Sequence, residues 1–275
     1  MTASASHSSR AATVRAVGVL VCVLLAAGTG WAQAPPSSPP RPLTKPVDIS
    51  SSNPGTISWK GTIGQSALLL GVQHTLRMAQ HKTRKHLGGP FWSDYVYSAE
   101  GLSGWDDGNQ LMTNYGGHPM MGAITGFVQI QNDRRGILLE WAPDDPAYWK
   151  SRFKALGWSA VYSTSFELAP WGEAGIGNVG YDRGTMGYVD LVVTPLAGFG
   201  LVLLEDFLDA KVIRRVERSQ GPTTARIVRV LLNPNRSLAN LLRFERPSHR
   251  DTRIVPARTR DVGVAALSAP DPEKR

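Results

Sequence analysis

The stretch DLVVTPLAGFGLVLL, residues 190–204, decides the fold. Asp190, Thr194 and Gly198 recur at i, i+4, so a helix gathers them on one small, polar face. The residues between them are apolar, and the pattern continues as one long helix over 188 to about 218. Small residues on one face let two helix backbones approach closely. The same kind of stripe occurs twice more, as His118, Gly122, Gly126 and as Ala155, Ser159, Ser163, Glu167. Three helices with small faces predict an all-α fold, a compact multi-helix bundle.

Working outward, helical periodicity predicts further helices over 63–87, 92–102, from 114 or 119 to 131, and over 148–168. Two short ones follow at 224–232 and 236–244, divided by Asn233-Pro234-Asn235. Gly88-Gly89-Pro90, Asn132-Asp133 and Pro170-Trp171-Gly172 are the stops, and a Gly-rich loop fills 172–187. The segments 136–141 and 253–255 are short strand candidates.

The flanks read differently. Arg10 and Arg15 precede an apolar run at 17–27, and small residues then lead to cleavage points after Ala32 or Ala34. Pro35 disfavours the second, so residues 1–32 are expected to be a signal peptide, with an uncleaved anchor as the alternative. The single cysteine, Cys22, lies inside that run, which excludes a disulfide framework and a cysteine-cluster metal site. A Pro/Ser-rich linker is expected over 33–57, the helical domain over 58–244 and a basic flexible tail over 245–275. This order predicts an exported protein of the periplasm or cell envelope.

The chain has 275 residues, 42% hydrophobic, with a formal charge of +8. That apolar share excludes a disordered chain. The basic balance favours anionic lipid or a polyanionic envelope polymer as partner, in a salt-dependent way. No nucleic-acid partner is expected, because aromatic and basic residues do not interleave. The apolar segments 119–130, 156–166 and 191–204 are each shorter than the roughly 20 residues that span a bilayer. Trp59, Trp92, Trp105, Trp141, Trp149 and Trp171 sit at segment ends. They fit either a shallow membrane-associated bundle or the periphery of a soluble one.

Short connections make consecutive helices antiparallel. His118 begins one helix, Glu167 ends the next and Asp190 begins the third, so an up-down-up order brings all three to one mouth. Asp107 and Asn114 precede His118, and Glu173 follows Glu167, so they are expected there too. A histidine beside carboxylates serves as general acid or base, or with them holds a divalent cation. Structural readings stand beside these. His118 enters a helix that starts with Pro119. Glu167, placed against the helix dipole, pairs with an arginine. Asp190 caps its helix. Glu205 and Asp206 pair with Arg214 or Arg215, and Ser163 and Ser165 have no base beside them in sequence.

The segment Thr113-Asn114-Tyr115-Gly116-Gly117-His118-Pro119-Met120-Met121-Gly122-Ala123 resembles the TNYxGHPxxGS motif of an uncharacterised family of bacterial envelope proteins. Residues 190–198 match as well, and 232–242 is similar to the family's closing LINPxRGxNRL. The sequence departs from the pattern at Met120 and at Asn240-Leu241. The resemblance implies a helical envelope domain and adds Asn233 and Arg236 as candidate binding residues. The order His, Glu, Asp is also similar in layout to VanZ-like small membrane proteins. Two functional readings follow: a membrane-associated envelope protein whose polar cluster is structural, or a lipid- or glycan-directed hydrolase using His118, Glu167 and Asp190, with or without a metal. The sequence names no cofactor.

Overall fold

The computed structural model describes residues 57–251; the expected signal peptide, most of the expected linker and residues 252–275 lie outside the described part. The described residues form α1 (Trp59–Arg77), α2 (His81–Arg84), α3 (Phe91–Ala99), α4 (His118–Asn132), α5 (Pro146–Leu168), α6 (Tyr188–Leu208), α7 (Arg214–Ser219), α8 (Pro222–Leu232) and α9 (Pro234–Leu242). The fold is an all-α bundle. A π-turn at Thr113–Gly117 runs straight into α4, and another at Asp209–Ile213 joins α6 to α7 as one continuous rod. The strand candidate at 136–141 is instead a 3-10 turn, Gly136–Leu138. Arg152 donates to the carbonyls of Gly136 and Leu139, so those oxygens have no part in a ladder. The candidate at 253–255 lies outside the described residues.

Helix α4 is the axis of the bundle. Its residues from Gly122 to Gln131 are all buried; most are apolar or small, with Gln129 and Gln131 enclosed among them. Phe127, Val128, Ile124 and Ile130 join Leu69 of α1, Tyr162 and Phe166 of α5, Val202 of α6 and Ala239 of α9 in one core. The three small stripes are the faces on which α4, α5 and α6 meet. A Cβ added at Gly122 would lie 1.9 Å from the Thr194 carbonyl oxygen, and one at Gly198 would lie 2.7 Å from the Gly122 backbone. Glycine is required at this crossing because the two backbones touch. Ser159, Ser163, Thr194 and Thr125 are buried beside it.

Large apolar side chains also face outward. Trp59 and Ile63 on α1, Phe153 and Val161 on α5, and Val192, Leu196, Leu204 and Phe207 on α6 are exposed. Among the described residues, one helix, Tyr188–Ser219, is long and apolar enough to cross a membrane.

The end of the bundle remote from His118 holds a second buried polar network. The fully buried Arg152 binds Asp206 at 2.7 Å, Tyr148 donates to the same carboxylate at 3.0 Å, and Arg236 binds its other oxygen at 2.5 Å. Glu205 accepts the backbone N–H groups of Asn235 and Arg236, capping α9 from another helix. The expected pairing of Glu205 and Asp206 with Arg214 or Arg215 is therefore not what forms; Arg214 pairs with Glu140. Residues 245–251, the first part of the expected tail, are seated on α9. Asn240 donates to the carbonyls of Pro247 and His249, and Arg243 binds Asp251.

Candidate functional site

His118 is the first residue of α4, and Gly117 rather than His118 holds the capping position. Its ring is free to reach across to the first turn of α6, where Nδ1 lies 3.5 Å from Asp190 Oδ1 and 3.4 Å from Thr194 Oγ1. Asp190 does not cap that helix. The N–H groups of Tyr188 and Val189 donate to the carbonyls of Gly104 and Trp105, so the helix start is satisfied by a loop. Gly187 permits this approach, since a Cβ there would lie 2.5 Å from the Trp105 carbonyl oxygen. The Asp190 carboxylate is turned into the mouth, where Oδ1 is buried without a hydrogen-bond partner.

Glu167 lies one residue before the end of α5 and is 4% exposed. Among the described residues, no arginine forms the expected ion pair with it. Arg77, whose charge acts on Glu167, binds Glu173 instead, Nε to Oε1 at 2.7 Å. The reason is the chain path: Glu173 and Ala174 donate their N–H groups to the carbonyls of Phe166 and Glu167, folding the loop back over the end of α5. That places Glu173 against α1. One nitrogen of His118 and one carboxylate oxygen each from Glu167 and Asp190 all lie within 4.8 Å of one another.

Asp107 and Asn114 complete the mouth. Asp107 is buried and accepts from Asn114 Nδ2 at 2.6 Å and from the Asn109 N–H at 3.0 Å. Lys82 donates to Asn109 Oδ1 at 2.6 Å. The predicted helix over 63–87 breaks at residues 78–80, and α2 turns so that Lys82 points here while Arg77 faces Glu173. Arg77, Lys82 and Asn109 are site residues that sequence reasoning missed; the only signal that could have pointed to them is the basic run His81, Lys82, Arg84, Lys85 and His86.

The electrostatics follow from crowding acids in a dry place. Burial first, then the charges of Glu173 and Asp190, raises the Glu167 carboxyl well above its ordinary range. Burial, the charges of Asp107 and Glu173 and hydrogen bonding with Asp107 push Asp190 up to about 8. Burial lowers His118, against the opposing pull of Glu173 and Asp107. Four carboxyl groups (Asp107, Glu167, Glu173, Asp190) face two cations, Arg77 and Lys82. Binding a divalent cation would release the protons that this crowding holds on Glu167 and Asp190, and the four ionised acids would then exceed the two cations by two charges. One imidazole and two carboxylates form a donor set suited to Mn²⁺, Mg²⁺ or Zn²⁺.

Arg236 and Asn233 are not in this mouth. Arg236 binds Asp206, sixteen residues beyond Asp190 on α6, or about 24 Å along the helix. Asn233 donates to Asp209 at 3.3 Å, in the same region. Ser163 donates to the Asp190 carbonyl at 3.0 Å and is held as a structural hydroxyl. Compared with protein families, characterised proteins and solved structures, the chain has no significant match.

Proposed function

We propose that this chain is an exported, membrane-associated protein of the cell envelope, and that its His118–Glu167–Asp190 mouth is a divalent-cation-assisted hydrolytic site acting on lipid or glycan. The observation that carries the reading is the convergence of three donor atoms within 4.8 Å, two of them on buried carboxyls that no arginine among the described residues binds. A structural cluster of this depth would pair its acids, as the Arg152–Asp206–Arg236 network does at the other end. A cation held by the three would supply a bound water of lowered pKa and a Lewis acid for the scissile bond. Arg77 and Lys82 would then hold the flanking acids, Glu173 directly and Asp107 through Asn109. The family resemblance supports the envelope setting, since its His-Pro motif supplies both His118 and Asn114.

The test substitutes His118→Ala and Glu167→Gln and measures melting temperature and bound metal. Variants that keep a cooperative melt but lose the cation support the site. Variants that unfold, from a wild type that binds no metal, return the cluster to a structural role.

A further inference from the structure

The mouth is ringed by apolar side chains that face water. Leu111 and Met112 are 73% and 77% exposed, at the start of the π-turn that carries Asn114 and leads into His118. Trp105 and Tyr115 are half exposed and joined by a hydrogen bond from the indole N–H to the phenol oxygen, 3.2 Å. Tyr188 is exposed beside them, held there by its N–H bond to the Gly104 carbonyl. From Tyr188 the apolar surface continues down α6 through Val192 and Leu196, so rim and helix face form one patch. Such a patch at a polar mouth marks an interaction surface.

Its neighbours are basic. The α2 segment contributes exposed His81 and Arg84, Lys85 beyond it pairs with Asp182, and Lys82 from the same turn reaches Asn109 at the mouth. Tryptophan and tyrosine prefer the boundary between headgroups and acyl chains, aliphatic side chains enter just below it, and cations meet anionic headgroups. A sugar ring would be met by aromatic faces and polar partners. Leu111 and Met112 offer neither, and these two are the most exposed members of the rim.

We infer that the rim formed by Trp105, Leu111, Met112, Tyr115 and Tyr188 docks into an anionic membrane surface, and that the substrate of the adjoining site is a membrane phospholipid presented by its headgroup. This rests on the hydrolytic reading above. Hydrolysis adds the elements of one water across the cleaved ester: its hydroxyl goes to the acyl or phosphoryl centre and its proton to the leaving oxygen.

The test uses the full chain and vesicles of phosphatidylglycerol, with phosphatidylcholine vesicles and peptidoglycan as comparisons. The wild type is expected to co-sediment with phosphatidylglycerol and to release a headgroup or acyl product detectable by mass spectrometry. The double variant Leu111→Glu/Met112→Glu should lower vesicle binding at least tenfold while melting temperature and Mn²⁺ binding stay as in the wild type. His118→Ala should keep vesicle binding and lose product. Wild-type-like vesicle binding by the double variant overturns the inference, as does retention on peptidoglycan without vesicle binding. If vesicles bind through the rim but no Mn²⁺ binds and no lipid is cleaved, the hydrolytic reading fails and takes the substrate assignment with it. If Mn²⁺ binds and only a glycan is cleaved, the hydrolytic site stands and the lipid inference alone falls.

Discussion

Replacing Gly122 by alanine probes how the bundle sets its mouth. The added Cβ would lie 1.9 Å from the Thr194 carbonyl oxygen, 2.8 Å from its carbon and 3.2 Å from Ser159 Oγ, where ordinary contact begins at 3.4 Å. The main obstruction is backbone, so no side-chain rotation relieves it. Helices α4 and α6 must part by about 1.5 Å, and overpacking of this kind costs about 1–3 kcal/mol. For a domain of this size that lowers Tm by about 2–4 °C per kcal/mol. His118 and Asp190 lie one turn before Gly122 and Thr194 respectively, so the separation carries into the mouth. The 3.5 Å approach of His118 Nδ1 to Asp190 Oδ1 should open to about 5 Å, beyond shared coordination. Circular-dichroism melts with a parallel Mn²⁺ titration measure both effects. Gly157→Ala on α5 is the control: nothing lies within 4 Å of its Cβ position, and it should stabilise by about 0.5–1 kcal/mol. A Gly122→Ala protein with wild-type Tm and wild-type Mn²⁺ affinity would refute the reasoning.

Two further predictions concern the opposite end. Arg152→Ala should destabilise by about 3–5 kcal/mol, because it strips a fully buried guanidinium from Asp206, whereas Lys154→Ala, removing a partly exposed partner of Asp133, should cost about 1 kcal/mol or less; urea titrations compare them. Burial pushes Glu205 up to about 7, against the N–H groups of Asn235 and Arg236 that favour its charge. Its folded pKa lies above the ordinary 4.5, so the folded state holds the extra proton between those values. Stability is thus present below about 4.5 and lost as pH rises through about 7, by up to roughly 3 kcal/mol at 1.36 kcal/mol per unit. Glu205→Gln should flatten that part of the stability-against-pH curve, seen as a smaller difference in unfolding free energy between pH 5 and pH 8; an unchanged slope would assign it to other groups.

Much of this arrangement is legible in the sequence, and the reason is periodicity. The stripes ending in Gly126, Glu167 and Gly198 recur at one helical turn, and short loops force an up-down-up order, so His118, Glu167 and Asp190 fall at one end before any contact is known. Residues whose partners come from distant segments are not legible in this way. Arg77 binds Glu173 rather than Glu167 because a loop folds back, and no local pattern carries that fold-back. Arg236 shares a motif-like segment with Asn233, yet its charge is used at Asp206. The 136–141 segment has a strand-like composition but gives two carbonyls to Arg152, sixteen and thirteen residues on.

His118, Glu167 and Asp190 are proposed to act as one cation site. Equilibrium dialysis of the full chain against Mn²⁺ tests it most directly. One ion per chain is expected, with affinity reduced at least tenfold in each of His118→Ala, Glu167→Gln and Asp190→Asn while their melts remain cooperative. An absence of stoichiometric binding by the wild type, or full affinity in any of the three variants, would contradict it.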